Sequence, residues 1–210
     1  MHGRMLHATA AAACFSLMLA MPMASYASDP AASTAQSSLQ THIGIFNFGK
    51  VSSGYYRGGE LKGHDAADLA ALGVKTVIDL RGDDYDPAEQ QLVSNAGMKY
   101  VRMPMTTRTA PTEQQIADFL ALVKDPASQP VYVHCVEGRH RTGVMTAIYR
   151  MTVDGWTADR AFNEMKQYKF GMDFLHPEFK RFVYAYHPAA PAPAPTPTQV
   201  ASAAPAAATN

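Results

Sequence analysis

Short apolar runs alternate with amphipathic helical patterns through most of this 210-residue chain, and this alternation limits its possible folds more than any other feature. Three runs have the composition of buried strands, at residues 75–80, 100–103 and 131–134, and shorter runs at 43–46 and 54–57 also predict strands. Strands separated by helices build a mainly parallel sheet. We therefore predict a single α/β domain with a central sheet of four to five strands and helices on both faces.

The predicted helices have recognisable ends. Thr112 and Gln115 form a capping box at the start of one helix. Asp65 can cap another, which Gly73 ends. The remaining predicted helices cover residues 87–95, 142–153, 157–168 and 177–186.

The two ends of the chain differ in composition from the middle. Residues 1–27 combine a weakly positive start, an apolar run and a small-x-small cleavage pattern, which are the features of a secretory signal peptide. Residues 28–41 predict a flexible lead-in, and residues 188–210, rich in Pro and Ala, an extended tail. We expect a packed domain over residues 42–187, in a mature protein that is periplasmic or secreted and has no membrane span.

Charge and cysteine content narrow the function. Eighteen basic and eighteen acidic residues balance, so nucleic acid is not a predicted partner. The chain has two cysteines, and Cys14 would leave with the leader. Exported proteins generally use cysteines in pairs, so the remaining Cys135 needs a partner chain or a chemical role.

The loop that follows strand 131–134 provides a chemical role. It runs from Cys135 to Arg141, and Thr142 opens a helix directly after it. A turn of this length can direct several backbone N–H groups inward, and the helix adds its positive dipole end. The same field favours Cys135 as a nucleophilic thiolate, Arg141 would bind phosphate through two hydrogen bonds, and Thr142 could donate to the sulfur. The predicted phosphate-binding residues are Val136, Glu137, Gly138, Arg139 and His140.

The sequence resembles the cysteine-dependent phosphatases of the tyrosine and dual-specificity type, particularly small exported bacterial ones. The resemblance rests on His134-Cys135 followed by Arg141-Thr142, on Tyr55 to Gly59, and on Val74 to Arg81, and it extends from about residue 43 to 186. It implies a phosphocysteine at Cys135 that water hydrolyses, with no metal or other cofactor. The partner is then a phosphorylated protein or a small phosphorylated substrate.

One part of the family pattern is missing. Members usually carry a general-acid Asp in the loop after the strand that ends here near Pro104, but residues 105–110 contain no carboxylate. Asp84 is the replacement that we predict, with Asp83 or Asp86 of the neighbouring loop and Glu113 as alternatives. A weak acid favours leaving groups of low pKa, so we predict a large preference for phosphotyrosine over phosphoserine.

Four functions stay open at this point. The leading one is an exported tyrosine or dual-specificity phosphatase. The second is an inositol polyphosphate or phosphoinositide phosphatase, because Arg139 and His140 could contact further phosphates, although Glu137 could also pair with Arg139. The others are a sulfurtransferase, which the Arg141-Thr142 ending fits less well, and a non-catalytic phosphate-binding module.

Overall fold

The computed structural model describes residues 43–82 and 84–189, and its centre is a five-stranded sheet. The predicted leader and lead-in, and most of the predicted tail, lie outside these residues. No helix in the described part of the chain has the length and apolar character that crossing a bilayer requires. The strands are β1 (Gly49–Ser52), β2 (Tyr55–Gly58), β3 (Thr76–Arg81), β4 (Lys99–Met105) and β5 (Val131–His134).

The sheet has the order β1-β2-β5-β3-β4, and only the β1–β2 pair is antiparallel. This confirms the mainly parallel α/β fold. The predicted strand at 43–46 is wrong, because this segment leads into a turn and the first strand begins at Gly49. Asn47 adopts φ +58° in that turn. Its amide donates to the carbonyl oxygens of Glu137 (3.2 Å) and Gly138 (3.1 Å), so the segment supports the Cys135 loop instead of extending the sheet.

Within residues 43–82 and 84–189, six helices connect and cover the strands, close to the predicted positions. The capping box of Thr112 and Gln115 is present. The prediction that Asp65 caps its helix is wrong, since Asp65 is the first helical residue and its carboxylate accepts from the Lys62 N–H at 2.8 Å instead. The helices are α1 (Asp65–Ala71), α2 (Pro87–Asn95), α3 (Glu113–Lys124), α4 (Arg141–Thr152), α5 (Ala158–Gln167) and α6 (Pro177–Ala185).

Helices pack on both faces of the sheet, as predicted. Successive strand residues point to opposite faces, and the buried side chains accordingly form two separate clusters. Tyr55 and Ile78 belong to the larger cluster beneath α3 to α6, whereas Tyr56 and Val77 belong to the smaller one beneath α1 and α2. This arrangement fixes the carboxyl ends of β2, β3 and β5 side by side at one edge, where parallel sheets bind their ligands.

Candidate active site

The Cys135 loop joins β5 to α4 at this edge. Cys135 directly follows the last residue of β5 and is 4% exposed. Gly138 has φ +63°, and a Cβ at that position would collide with the backbone of Gly58. The sequence-based expectation of a glycine turn that opens into a helix N-terminus is therefore the geometry that the structure has.

Arg141 reaches from the first turn of α4 to Asp84. The two side chains form a bidentate ion pair, with Nη1–Oδ1 at 3.0 Å and Nη2–Oδ2 at 2.9 Å. Arg141 also donates to the Met105 carbonyl at 3.3 Å. The hydrogen bond from Arg141, reinforced by its positive charge, lowers the pKa of the Asp84 carboxyl. Asp84 therefore occupies both donors of the guanidinium fork that the sequence analysis assigned to a phosphate.

A small cleft of about 200 Å³ lies above Cys135. Three loops contribute to it, those after β3, β4 and β5, as expected for the carboxyl edge of a parallel sheet. The first two provide Asp84 and Thr107, and the predicted phosphate-binding loop provides most of the wall. The lining residues are Asp84, Thr107, Cys135, Val136, Glu137, Arg139, His140 and Arg141.

The structure separates the remaining acid candidates from this cleft. Asp83 lies outside the described residues. Asp86 caps α2, where its carboxylate accepts from the Ala88 N–H at 2.9 Å. Glu113 lies in the first turn of α3 and lines a different cleft. Among the described carboxylates considered as acids, Asp84 alone lies beside Cys135.

Of two further predicted contacts, the structure lacks one and contains the other. The Thr142 hydroxyl is buried and has no hydrogen-bond partner among the described residues, so the expected bond to the Cys135 sulfur is not formed. Arg139 does pair with Glu137, at 3.3 Å, on the rim of the cleft. The Nε2 atom of His140 lies 3.0 Å from the Phe170 carbonyl oxygen.

Arg57, at the end of β2, is a site residue whose position the sequence analysis missed. Its side chain is fully buried, and Nη2 donates to the Gly138 carbonyl at 2.5 Å. The guanidinium lies over the ring of Tyr168, 3.9 Å from its centroid. Arg57 thus contacts the loop from the protein interior and is not among the residues that line the cleft. Its place in the Tyr55–Gly59 segment of the family resemblance was the available signal.

A buried ionic cluster beside the loop was also missed. Arg81 donates to both oxygens of Asp79 and to Glu89, and it reaches Glu60 at 3.1 Å. Asp79 also accepts from the Tyr100 hydroxyl at 2.6 Å. The run of residues 75–80 had indicated only a buried strand, because the partners of Asp79 and Arg81 come from other parts of the chain as well.

His134 connects this cluster to Cys135. Its Nδ1 lies 3.2 Å from the Cys135 carbonyl oxygen, so this nitrogen carries the hydrogen, and Nε2 lies 3.5 Å from the Glu89 carboxylate. Burial lowers the pKa of His134 to about 4 and raises the pKa of Glu89 to about 7. Near neutral pH, the imidazole is therefore uncharged and orients the start of the loop.

Two groups of side chains in the described part of the chain have the spacing of metal ligands, and both contain ion pairs. Asp79, Glu89 and His134 lie close together, but the Arg81 guanidinium already pairs with both carboxylates. His64, Asp65 and Asp68 form the other group. There His64 and Asp68 pair at 3.3 Å on the surface.

The fold and the loop define a cysteine-dependent phosphatase of the dual-specificity and tyrosine type. A family model described as the DSP-PTPase phosphatase fused to NAD⁺ kinase matches residues 45–180. This is most of the chain, and the chain belongs to that family.

Known proteins with the same domain support this assignment. A probable chloroplastic NAD kinase 2 of Oryza sativa subsp. japonica is 33% identical over 104 residues, which are 47% of this chain and 11% of that protein. A probable tyrosine-protein phosphatase of Dictyostelium discoideum is 28% identical over 131 residues, covering 60% of this chain and 78% of that protein. The chain thus spans about a tenth of the plant kinase and most of the Dictyostelium protein.

A solved structure has the same architecture. The crystal structure of TpbA from Pseudomonas aeruginosa superimposes with a TM-score of 0.59 at 25% identity, over 68% of this chain and 86% of that chain. The curated TpbA sequence from strain PAO1 is described as a dual specificity protein phosphatase.

Proposed function

We propose that the protein hydrolyses phosphate monoesters through a phosphocysteine at Cys135. The observation that carries this proposal is the meeting of Cys135, Arg141 and Asp84 in one small cleft at the N-terminus of α4. A nucleophile, a planar cation and a carboxylate are the groups that a two-step phosphoryl transfer needs.

The reaction begins with an exchange at Arg141. A substrate phosphate competes with the Asp84 carboxylate for the same guanidinium fork and for the N–H groups of the loop. Once released, Asp84 loses the partner that lowers its pKa and faces the negative charge of the phosphate, and both changes favour its protonated form. Substrate binding therefore prepares the acid.

Two chemical steps follow. The Cys135 sulfur attacks phosphorus, the bond to the leaving oxygen breaks, and that oxygen takes the proton of Asp84. Water then attacks the phosphocysteine and gives a proton to the Asp84 carboxylate, which releases phosphate and restores the Cys135 thiolate. The Thr142 hydroxyl, unpaired in the described structure, is free to donate to the sulfur as it leaves.

We expect phosphotyrosine to be the preferred protein substrate. Asp84 is charged until the phosphate displaces it from Arg141, so protonation of the leaving group depends on that exchange, and a phenolate of pKa about 10 needs this proton less than an alkoxide does. One solved TpbA structure is a complex with phosphotyrosine. Rates on a phosphotyrosine peptide and on the matched phosphoserine peptide test this preference. Equal rates would refute it.

The second candidate substrate class is inositol phosphates. A relative in rice, 27% identical over 126 residues, is named an inositol diphosphatase, and Arg139 lies on the rim where a second phosphate could reach it. The same assay should include phytate and an inositol pyrophosphate, with the Cys135→Ser variant as the blank. Faster turnover of the inositol pyrophosphate than of the phosphotyrosine peptide would establish the second class.

We also propose export, on the signal-peptide features of residues 1–27. Sequencing the N-terminus of the protein recovered from a bacterial periplasm should find cleavage after residue 27. A full-length protein retained in the cytoplasm would contradict this proposal.

A further inference from the structure

Arg57 is a buried cation without an anionic partner in the described part of the chain. It is 0% exposed, and its Nε and Nη1 atoms have no hydrogen-bond partner among the described residues. No Asp or Glu in those residues lies within ion-pair distance of it, although fourteen other basic–acidic contacts are present there. Buried charges are normally paired, because leaving water costs several kcal/mol.

The acidic groups around Arg57 are few. Tyr55, Tyr168, Glu164 and Cys135 are the neighbours whose negative forms favour its charge. Burial raises the pKa of Tyr55, so this phenol stays neutral, and Glu164 already pairs with Arg150 at 2.7 Å. The guanidinium stacks on the face of the Tyr168 ring, which is a cation–π contact and not an ion pair. The sulfur of Cys135 is the remaining group that can carry a full negative charge.

We infer that Arg57 supplies the counter-charge of the Cys135 thiolate from beneath the loop. This makes it a positioning residue for the reaction, and the inference rests on the proposed role of Cys135 as the nucleophile. The loop N–H groups and the α4 dipole stabilise the thiolate from one side, and the Arg57 guanidinium stabilises it from the other.

The hydrogen bond from Arg57 to Gly138 has a second effect. It holds the Gly138 carbonyl toward the buried guanidinium and so fixes the direction of this peptide group in the loop. The carbonyl of Gly138 also accepts from Asn47 at 3.1 Å, so its direction is fixed by two donors. Arg57 thus combines a charge with a loop contact, and an experiment must separate the two.

Alkylation of Cys135 by iodoacetamide measures its thiolate fraction without needing turnover. The rate is followed from pH 4 to 9.5 on the full chain, and peptide mapping distinguishes Cys135 from Cys14. Arg57→Met keeps the length of the side chain but removes the charge and the donors. Arg57→Lys keeps the charge. Arg160→Met is the matched control, since Arg160 also stacks on an aromatic ring (3.7 Å from the Trp156 centroid) but lines a different cleft.

An opposite charge within about 4–6 Å changes the ionisation of an acid by about one to three pH units. At pH 6, Arg57→Met should therefore alkylate at least about tenfold more slowly than wild type. Arg57→Lys should lie much closer to wild type, and Arg160→Met should match it. At pH 9.5, where the higher pH compensates for a lost counter-charge, the Arg57→Met rate should approach the wild-type rate.

The shape of the pH profile decides between charge and structure. If Arg57 only holds the loop in position through its hydrogen bond, Arg57→Met will slow alkylation by the same factor at every pH, and the inference fails. It also fails if the Arg57→Met and wild-type profiles coincide. Should Arg57→Met not fold, Arg57→Gln, which can still donate to the Gly138 carbonyl, takes its place with the same expected profile. A wild-type protein without phosphatase activity would refute the proposed function, whereas the alkylation profile would still report on Arg57.

Discussion

Two arginines lie fully buried at the same edge of the sheet, and their surroundings differ. Arg81, 1% exposed at the end of β3, contacts the carboxylates of Asp79, Glu89 and Glu60. Arg57, at the end of β2, contacts a carbonyl oxygen and an aromatic ring. The charge of Arg81 is neutralised inside the fold, whereas the charge of Arg57 remains available beneath the Cys135 loop. The first is suited to holding the sheet edge together and the second to stabilising an anion.

The surroundings of Arg141 are intermediate between those of Arg81 and Arg57. The Arg141 side chain is 4% exposed, but that of its partner Asp84 is 41% exposed, so the carboxylate can return to water when another anion takes its place on the guanidinium. An arginine whose partner can return to water can exchange it for a phosphate. The exposure of the partner thus distinguishes a structural arginine from a substrate-binding one.

Replacing Arg81 should have the largest effect on stability. Arg81→Met leaves buried carboxylates without their cation, and we expect it to reduce the free energy of unfolding by about 3–5 kcal/mol. Urea denaturation at pH 7.5 measures this. The control is Arg150→Met, which breaks more accessible pairs with Asp154 and Glu164 and should cost about 1 kcal/mol. Equal losses in the two variants would contradict the distinction between a buried and a partly accessible arginine.

Glu89 gives the Arg81 cluster a pH dependence. Its pKa is about 7 in the folded protein, against 4.5 for an ordinary Glu side chain, so from pH 4.5 to 7 the folded state holds the proton more tightly than the unfolded state. The stability contributed by this carboxyl is full below pH 4.5 and is lost as the pH rises to about 7. Burial of the Glu89 carboxyl is the cause of its raised pKa.

Comparison with Glu89→Gln isolates this effect, because His134 titrates in both proteins. Glu89→Gln loses hydrogen bonds at every pH, but its stability relative to wild type should rise by about 3 kcal/mol between pH 4.5 and 7.5. Urea denaturation at several pH values gives the difference. A difference that does not change with pH would show that Glu89 titrates as an ordinary carboxyl.

Asp84 tests whether the Arg141 pair exchanges during catalysis. Asp84→Asn removes the acid, so kcat on an aryl phosphate should fall by about 10²-fold. It also weakens the competitor for Arg141, so KM should fall as well. Asp86→Ala is the control. It removes the α2 cap, which costs about 1 kcal/mol of stability, and should leave kcat unchanged. If Asp86→Ala lost most of its kcat while Asp84→Asn kept a normal kcat, the general acid would be Asp86 and not Asp84.

The smallest effect is expected at Glu137. Its side chain pairs with Arg139 on the rim and is half exposed, so Glu137→Gln should change the free energy of unfolding by less than about 0.5 kcal/mol. Freeing Arg139 should lower KM for an inositol pyrophosphate by about twofold and leave KM for a phosphotyrosine peptide unchanged. Steady-state kinetics on both substrates checks this. An equal change for the two substrates would remove Arg139 from any role in choosing between them.

The sequence predicted the fold and the loop because both follow from local patterns. Apolar periodicity located four of the five strands, and the spacing from Cys135 to Arg141 located the loop that opens into α4. The prediction of the first strand was wrong because the polar segment Gly49–Ser52 pairs at the edge of the sheet, whereas the more apolar run at 43–46 leads into a turn. Hydrophobic pattern alone does not distinguish the two.

Contacts between distant segments were beyond the sequence argument. Asp84 could be suggested as an acid, but its ion pair with Arg141, 57 residues away, depends on how the loops meet. That Arg57 has no ion-pair partner among the described residues is harder still to predict, since it depends on how distant carboxylates are arranged around it in three dimensions. The sequence contains eighteen acidic residues, and their positions along the chain do not predict which arginine lacks an acidic partner in the folded protein.

The central claim is that Cys135 carries the phosphoryl group during turnover. Acid quenching of the full chain during reaction with a ³²P-labelled aryl phosphate, followed by peptide mapping, tests it directly. We predict label on the Cys135 peptide, approaching one phosphate per protein, and none in the Cys135→Ser variant. Turnover without label on that peptide, or turnover by Cys135→Ser, would contradict the account.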